Sequence, residues 1–128
     1  MRYKSGYDFS YKLSVGHVAW ILHRLSGLAL MFYLGLHIWV ISHLNAGAES
    51  FNKVMAFLNT PLFKVLEIGL WGVILYHVLN GIRLLLIDFA GGARYHKKLF
   101  WVAFFLVLIL TILGAIPFLH HLHILGGK

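Results

Sequence analysis

No cysteine occurs among the 128 residues. That excludes disulfides, thiolate-held zinc and iron–sulfur ligation by this chain, so a redox metal would have to be held by nitrogen. Acidic residues are scarce as well, four against eleven Lys and Arg, and charged residues make up only 12% of the total. A soluble domain carries about 25% charged and about 45–50% apolar residues. Here the apolar share is 60% and the mean hydropathy is +0.81. Too little polar surface remains to face water, which excludes a soluble monomer. There is no G-x-G-x-x-G and no P-loop pattern, so neither a dinucleotide nor a nucleoside triphosphate site is encoded. The length allows one domain, with room for three membrane spans of about 20 residues each.

What is present is apolar sequence in three stretches, 18–44, 62–90 and 99–119. A polar segment, 45–60, separates the first two and leads into Pro61, a favoured first residue of a helix. Gly91 and Gly92 end the second stretch and open a short basic loop. The third stretch holds no charge and has Pro117 near its end. A histidine-rich tail at 120–123 follows, a weak compositional signal for a metal. In lipid such stretches must be helices, because their backbone groups find no water there. The expected fold is an all-α membrane protein of three transmembrane helices, a single anchor domain over 1–128 that forms part of a larger helical bundle.

Loop charges predict the orientation. Arg2, Lys4 and Lys12 precede the first stretch, and Arg94, Lys97 and Lys98 lie between the second and third. Between the first and second, Lys53 and Lys64 are balanced by Glu49 and Glu67. The N-terminus and the basic loop therefore belong inside and the C-terminus outside. Much of the formal charge of +7 is thus a topology signal. Charges this close to lipid do not read as nucleic-acid binding. The loop at 94–98 also suits an acidic surface of a partner.

Nine histidines are the anomaly in so apolar a chain. An ionisable group within a span is costly and marks a functional site. On the first helix, His23, Ser26, Gly27, Leu30, Leu34, His37 and Ile41 share a face. His23 and Arg24 fall near the inner surface, and His37 about 21 Å further out. On the second helix, His77, Asn80, Gly81, Leu84 and Asp88 share a face, with His77 near mid-membrane and Asp88 at the inner boundary. Arg83 lies about 9 Å inward of His77 and about 120° round the helix.

An imidazole in lipid is satisfied as a metal ligand or by a hydrogen bond between helices. As ligands, two axial histidines, with His77 and His37 the candidates, would fit a b-type haem. His23, Arg24 and Arg83 would pair with haem propionates or hydrogen-bond a quinone carbonyl. Glycines 27, 35, 69, 72 and 81 read as close-packing sites for the most part. Trp20 and Trp101 suit the aromatic belt, whereas Tyr76 lies too deep for it. The third helix, with Thr111 as its only hydroxyl, reads as packing.

Two motifs carry a family resemblance. Trp20-Ile-Leu-His-Arg-Leu-Ser-Gly27 resembles the His-Arg-x-Ser/Thr-Gly signature of the cytochrome b subunit of succinate dehydrogenase (complex II). Tyr76-His-Val-Leu-Asn-Gly-Ile-Arg-Leu-Leu-Leu-Ile-Asp-Phe89 resembles the same family's His-x-x-x-Gly-x-Arg signature followed by Asp-Phe. Motif order, helix number and length agree, so the resemblance covers nearly the whole chain. It implies His77 as the axial haem ligand, His23 and Arg24 near propionates and quinone, and Arg83 and Asp88 at the inner end of the site. Some family members carry a quinone-contacting serine three residues before the His-Arg pair. Trp20 stands there in this chain and would line the pocket, with Ser26 the nearby hydroxyl. His37 matches a histidine of the two-subunit branch of the family, which adds the option of a second haem.

The expectation is a haem-b-binding membrane anchor of a succinate:quinone oxidoreductase, in a bacterial or archaeal cytoplasmic membrane or the mitochondrial inner membrane. A flavoprotein subunit would oxidise succinate, and an iron–sulfur subunit would pass electrons to quinone at the inner face. This chain would dock that pair. Three helices offer few faces to enclose a porphyrin, so a second small membrane anchor is expected. The rival readings are a cytochrome b anchor of a fumarate reductase or another quinone-linked enzyme such as formate dehydrogenase or hydrogenase, a haem-free transporter or proton relay through His37, His77 and Asp88, and a cofactor-free anchor.

Overall fold

The computed structural model describes residues 14–126, without the side chains at 92, 93, 118 and 121–126. The leader cations Arg2, Lys4 and Lys12 lie outside the described residues, and so do the side chains of most of the 120–123 histidine run. Every regular element described is helical: α1 (Val15–Ser42), a 3-10 turn (His43–Ala46), α2 (Ala48–Leu58), α3 (Pro61–Phe89), a second 3-10 turn (Gly92–Tyr95) and α4 (His96–Gly126). Three segments are long and apolar enough to cross a membrane: Val15–Ala46, Pro61–Phe89 and His96–Pro117.

The ends of these helices follow from local chemistry. Ser14 caps α1, its Oγ accepting from the backbone N–H of His17 at 3.3 Å. α1 therefore begins three residues before its apolar run. Pro61 opens α3 as expected. Gly91, at φ +65, takes the left-handed conformation just past the Ala90 cap and ends α3. α4 continues helical through Pro117 and past the expected end of the third span at 119.

The segment 45–60 departs from its expected role as a plain polar linker. Gly47, at φ +97, breaks the chain, and α2 follows at once. Its Phe51, Val54 and Leu58 fall at i, i+3 and i+7 and are half-buried, while Glu49 and Lys53 face outward, ion-paired at 2.8 Å. Phe57 meets Phe63 of α3 edge to face, ring centres 5.2 Å apart. An amphipathic helix between two spanning helices suits the membrane surface.

α3 is the central helix, with α4 packed along it and α1 against it. Lipid gives little hydrophobic drive for helix association, so close approach and hydrogen bonds carry the packing. Trp71 Nε1 donates to the Leu110 carbonyl at 3.2 Å, and its indole lies against Gly114, where a Cβ would sit 2.9 Å from Cδ1. Gly72 faces Thr111 Oγ1 at 3.4 Å by the same measure, Gly27 faces His77 at 3.2 Å and Gly81 faces His23 at 3.8 Å. Gly35 and Gly69, also expected to pack, have nothing within 4 Å and face away from the chain. The buried residues include three polar ones, Ser26, Asn80 and Arg83, while most Leu, Ile and Phe side chains stand outside, Phe100 excepted. That inversion belongs to a lipid-facing bundle.

Candidate functional site

The site is built where α1 crosses α3. His23 and His77 stack there, ring centres 4.2 Å apart and planes within 6°. Depth along each helix had placed His23 near the inner surface and His77 at mid-membrane. The structure puts the two rings at one level, stacked on each other. Gly27 lets His77 approach α1, and Gly81 opens room beside His23.

Ser26 ties the pair together. Its Oγ donates to the His23 carbonyl at 2.8 Å and lies 2.9 Å from His77 Nδ1. A hydroxyl has one proton, and a carbonyl only accepts. Ser26 must therefore accept from His77, which places the imidazole proton on Nδ1. Nε2 then keeps its lone pair and makes no hydrogen bond within the described residues. This is the arrangement by which a neighbouring group fixes the tautomer of a ligating histidine. Next to it, Tyr76 donates to the Ala19 carbonyl at 3.2 Å, a second bond between α1 and α3 that explains a tyrosine at this depth.

Among the described residues, three buried side-chain atoms have no partner: His23 Nδ1, Asn80 Nδ2 and Thr111 Oγ1. Burying such groups unpaired costs about 1–3 kcal/mol each. His23 Nδ1 belongs to the stacked pair.

Arg83 is turned into the protein, only 5% exposed. Its Nε and Nη2 both donate to the His96 carbonyl at 3.3 Å, and Nη1 donates to Asn80 Oδ1 at 3.2 Å. The guanidinium also lies 5.7 Å from the centre of the Phe100 ring. It joins the C-terminal part of α3 to the first residue of α4. Asn80 was singled out only as a member of the His77 face, and its bond to Arg83 at i+3 is the signal that spacing alone carried.

The remaining candidates stand apart from the stacked histidines. Arg24 lies over the Trp20 ring at 4.2 Å, both on the open side of α1. His17 stacks on the other side of Trp20, at 5.9 Å. Asp88 is exposed in the last turn of α3 and forms no ion pair among the described residues. His37 is exposed, tilted against Tyr33 at 5.7 Å. Among the described residues no hydrogen bond links His37, His77 and Asp88 directly. No three metal-ligating side chains converge among the described residues. What the site offers is nitrogen ligation from single imidazoles, which suits haem rather than a zinc cage.

Residues 8–114 match the family described as succinate dehydrogenase/fumarate reductase transmembrane subunit. The chain is 35% identical over 103 residues to a succinate dehydrogenase 2 membrane subunit of Mycobacterium tuberculosis, covering 80% of this chain and 76% of that one. It is 34% identical over 109 residues to a succinate dehydrogenase hydrophobic membrane anchor subunit of Halobacterium salinarum, covering 84% of each. A succinate dehydrogenase cytochrome b556 subunit of Rickettsia felis is 31% identical over 84 residues, 64% of this chain and 63% of that one.

Proposed function

The chain belongs to the family of succinate dehydrogenase/fumarate reductase transmembrane subunits, and from that premise we propose that it is the haem-b-binding membrane anchor of a succinate:quinone oxidoreductase. It is an integral protein of the cytoplasmic membrane. The observation that carries the haem reading is the Ser26–His77 bond, which leaves Nε2 of His77 to face a metal. The buried, unpartnered Nδ1 of half-buried His23 supports it, as does the all-nitrogen donor set.

His77 would bind the iron through Nε2, Ser26 holding the proton on Nδ1. A bound haem b takes up and releases single electrons. His23 keeps the imidazole plane of His77 fixed by stacking and offers Nδ1 to a propionate or a quinone carbonyl. Arg24, steadied on Trp20, supplies the exposed cation for the same groups, and Asp88 marks the inner end of the site. Arg83, with Asn80, holds α3 to α4 beneath it. His37 stands too far from the stacked pair to share its haem, and one haem at His77 is the simpler count. The inner basic loop faces the cytoplasm, with the N-terminus inside and the C-terminus outside. The partners are flavoprotein and iron–sulfur subunits docked at that face, with a second small membrane anchor closing the open side of the bundle.

The test is a dithionite-reduced difference spectrum with haem quantification on the purified complex. Wild type should show b-type bands and one haem per copy of this chain. His77→Ala should assemble without those bands. Unchanged bands in that variant would overturn the ligand assignment.

A further inference from the structure

We propose that the groove at the α3–α4 turn binds an anionic phospholipid, its phosphate at Lys98 and one acyl chain along the groove walls. Leu86 and Ala90 of α3, Tyr95 of the 3-10 turn, and Lys98, Leu99 and Val102 of α4 line a cavity of about 420 Å³. Small-molecule sites run from about 300 to about 1,000 Å³. Polar side chains occur only at the end near the loop, where Tyr95 and Lys98 sit. Leu86 and Val102 lie at the other end, Val102 being about 6 Å further along α4 than Lys98. Leu86, Tyr95 and Val102 are exposed, so the groove opens sideways, towards lipid. A cationic rim leading into an apolar trough is the complement of a phosphate headgroup leading into an acyl chain.

Charge pairing sets this end apart. Lys53 and Lys64, at the opposite end of the bundle, each have an acidic partner, at 2.8 and 3.2 Å. Arg94, Lys97 and Lys98 have none among the described residues, and Asp88, the carboxylate at the end of α3, bridges to none of them. Topology requires cations in this loop, but it does not require one of them on the lip of an apolar groove. Basic pockets between membrane helices are suited to anionic headgroups. The inference is independent of the haem reading.

The experiment uses the intact complex, stripped of native lipid and reconstituted with equal phosphatidylcholine and phosphatidylglycerol, then analysed by native mass spectrometry. Phosphatidylglycerol should be retained in preference to phosphatidylcholine. Lys98→Gln should lower that retention about fivefold, the factor one lysine contributes at an anionic surface. Val102→Trp, which fills the groove and leaves the cations, should lower it too. Equal retention of the two lipids, or retention unchanged in both variants, overturns the proposal. So does release of the soluble subunits by Lys98→Gln with lipid retention unchanged, which would assign the rim to an acidic protein surface. In the unmodified complex, phosphatidylglycerol with a photoreactive acyl chain should label the stretch holding Leu99 and Val102. Labelling confined to other helices would overturn it without any variant having to fold.

Discussion

Ser26 has one hydroxyl proton, and the His23 carbonyl takes it. What remains is an acceptor aimed at His77 Nδ1, and this fixes which nitrogen of His77 is free. Ser26→Ala removes the acceptor while leaving the stacked rings and Gly27 in place. Loss of such a supporting partner typically weakens a ligated site about 10–100-fold. Ser26→Ala is expected to lower haem retention on dilution and shift the midpoint potential of the b band, and Ser26→Thr to restore both. A potential that does not move in Ser26→Ala would show that Ser26 only packs. His23 and His77 were legible from sequence because imidazoles in an apolar helix have few uses. That they stack was not legible, since a contact between residues 54 positions apart depends on where each helix begins. Arg83 was read as a ligand-facing cation for a related reason: its acceptor, the His96 carbonyl, is main chain, and main-chain acceptors leave no trace in the side-chain pattern.

At the scale of the element, the α3–α4 pair depends on Trp71 setting the nitrogen edge of its indole against Gly114, with its Nε1 bonded to the Leu110 carbonyl. A methyl at 114 would overlap the indole, and overpacking of this kind costs about 1–3 kcal/mol. Gly114→Ala is therefore expected to lower the thermal midpoint of the purified complex. Trp71→Leu in the same chain should recover most of that loss, since the clash then has no second party. Additive effects of the two substitutions would show that the contact is not what couples the helices. The three spans were legible by length and composition alone, whereas Gly114 was overlooked because nothing in a uniformly apolar helix marks which face meets a tryptophan. α2 was missed for a different reason. Its Phe51, Val54 and Leu58 do follow helical spacing, but the helix has only 11 residues and sits in a segment with three Asn, at 45, 52 and 59.

The described residues form an open bundle with polar groups at its helix crossings and most apolar side chains outside, and charge predicts its orientation. With three spans the two ends of the chain must lie on opposite sides. Arg94, Lys97 and Lys98 form the unpaired cationic end, and Glu49 with Lys53 belongs to the balanced end that carries α2. Positive charge is retained inside. The complete lack of cysteine, which ruled out thiolate chemistry, also makes the orientation measurable. A single cysteine introduced into this chain would be its only thiol, so labelling read on this chain alone is free of background. Lys53→Cys should react with a membrane-impermeant maleimide in intact cells. Lys97→Cys should react only after the membrane is opened. The reverse pattern would invert the bundle and move the stacked histidines towards the outer face. Docking of the soluble subunits beside His23, Arg24 and the basic loop would then be untenable.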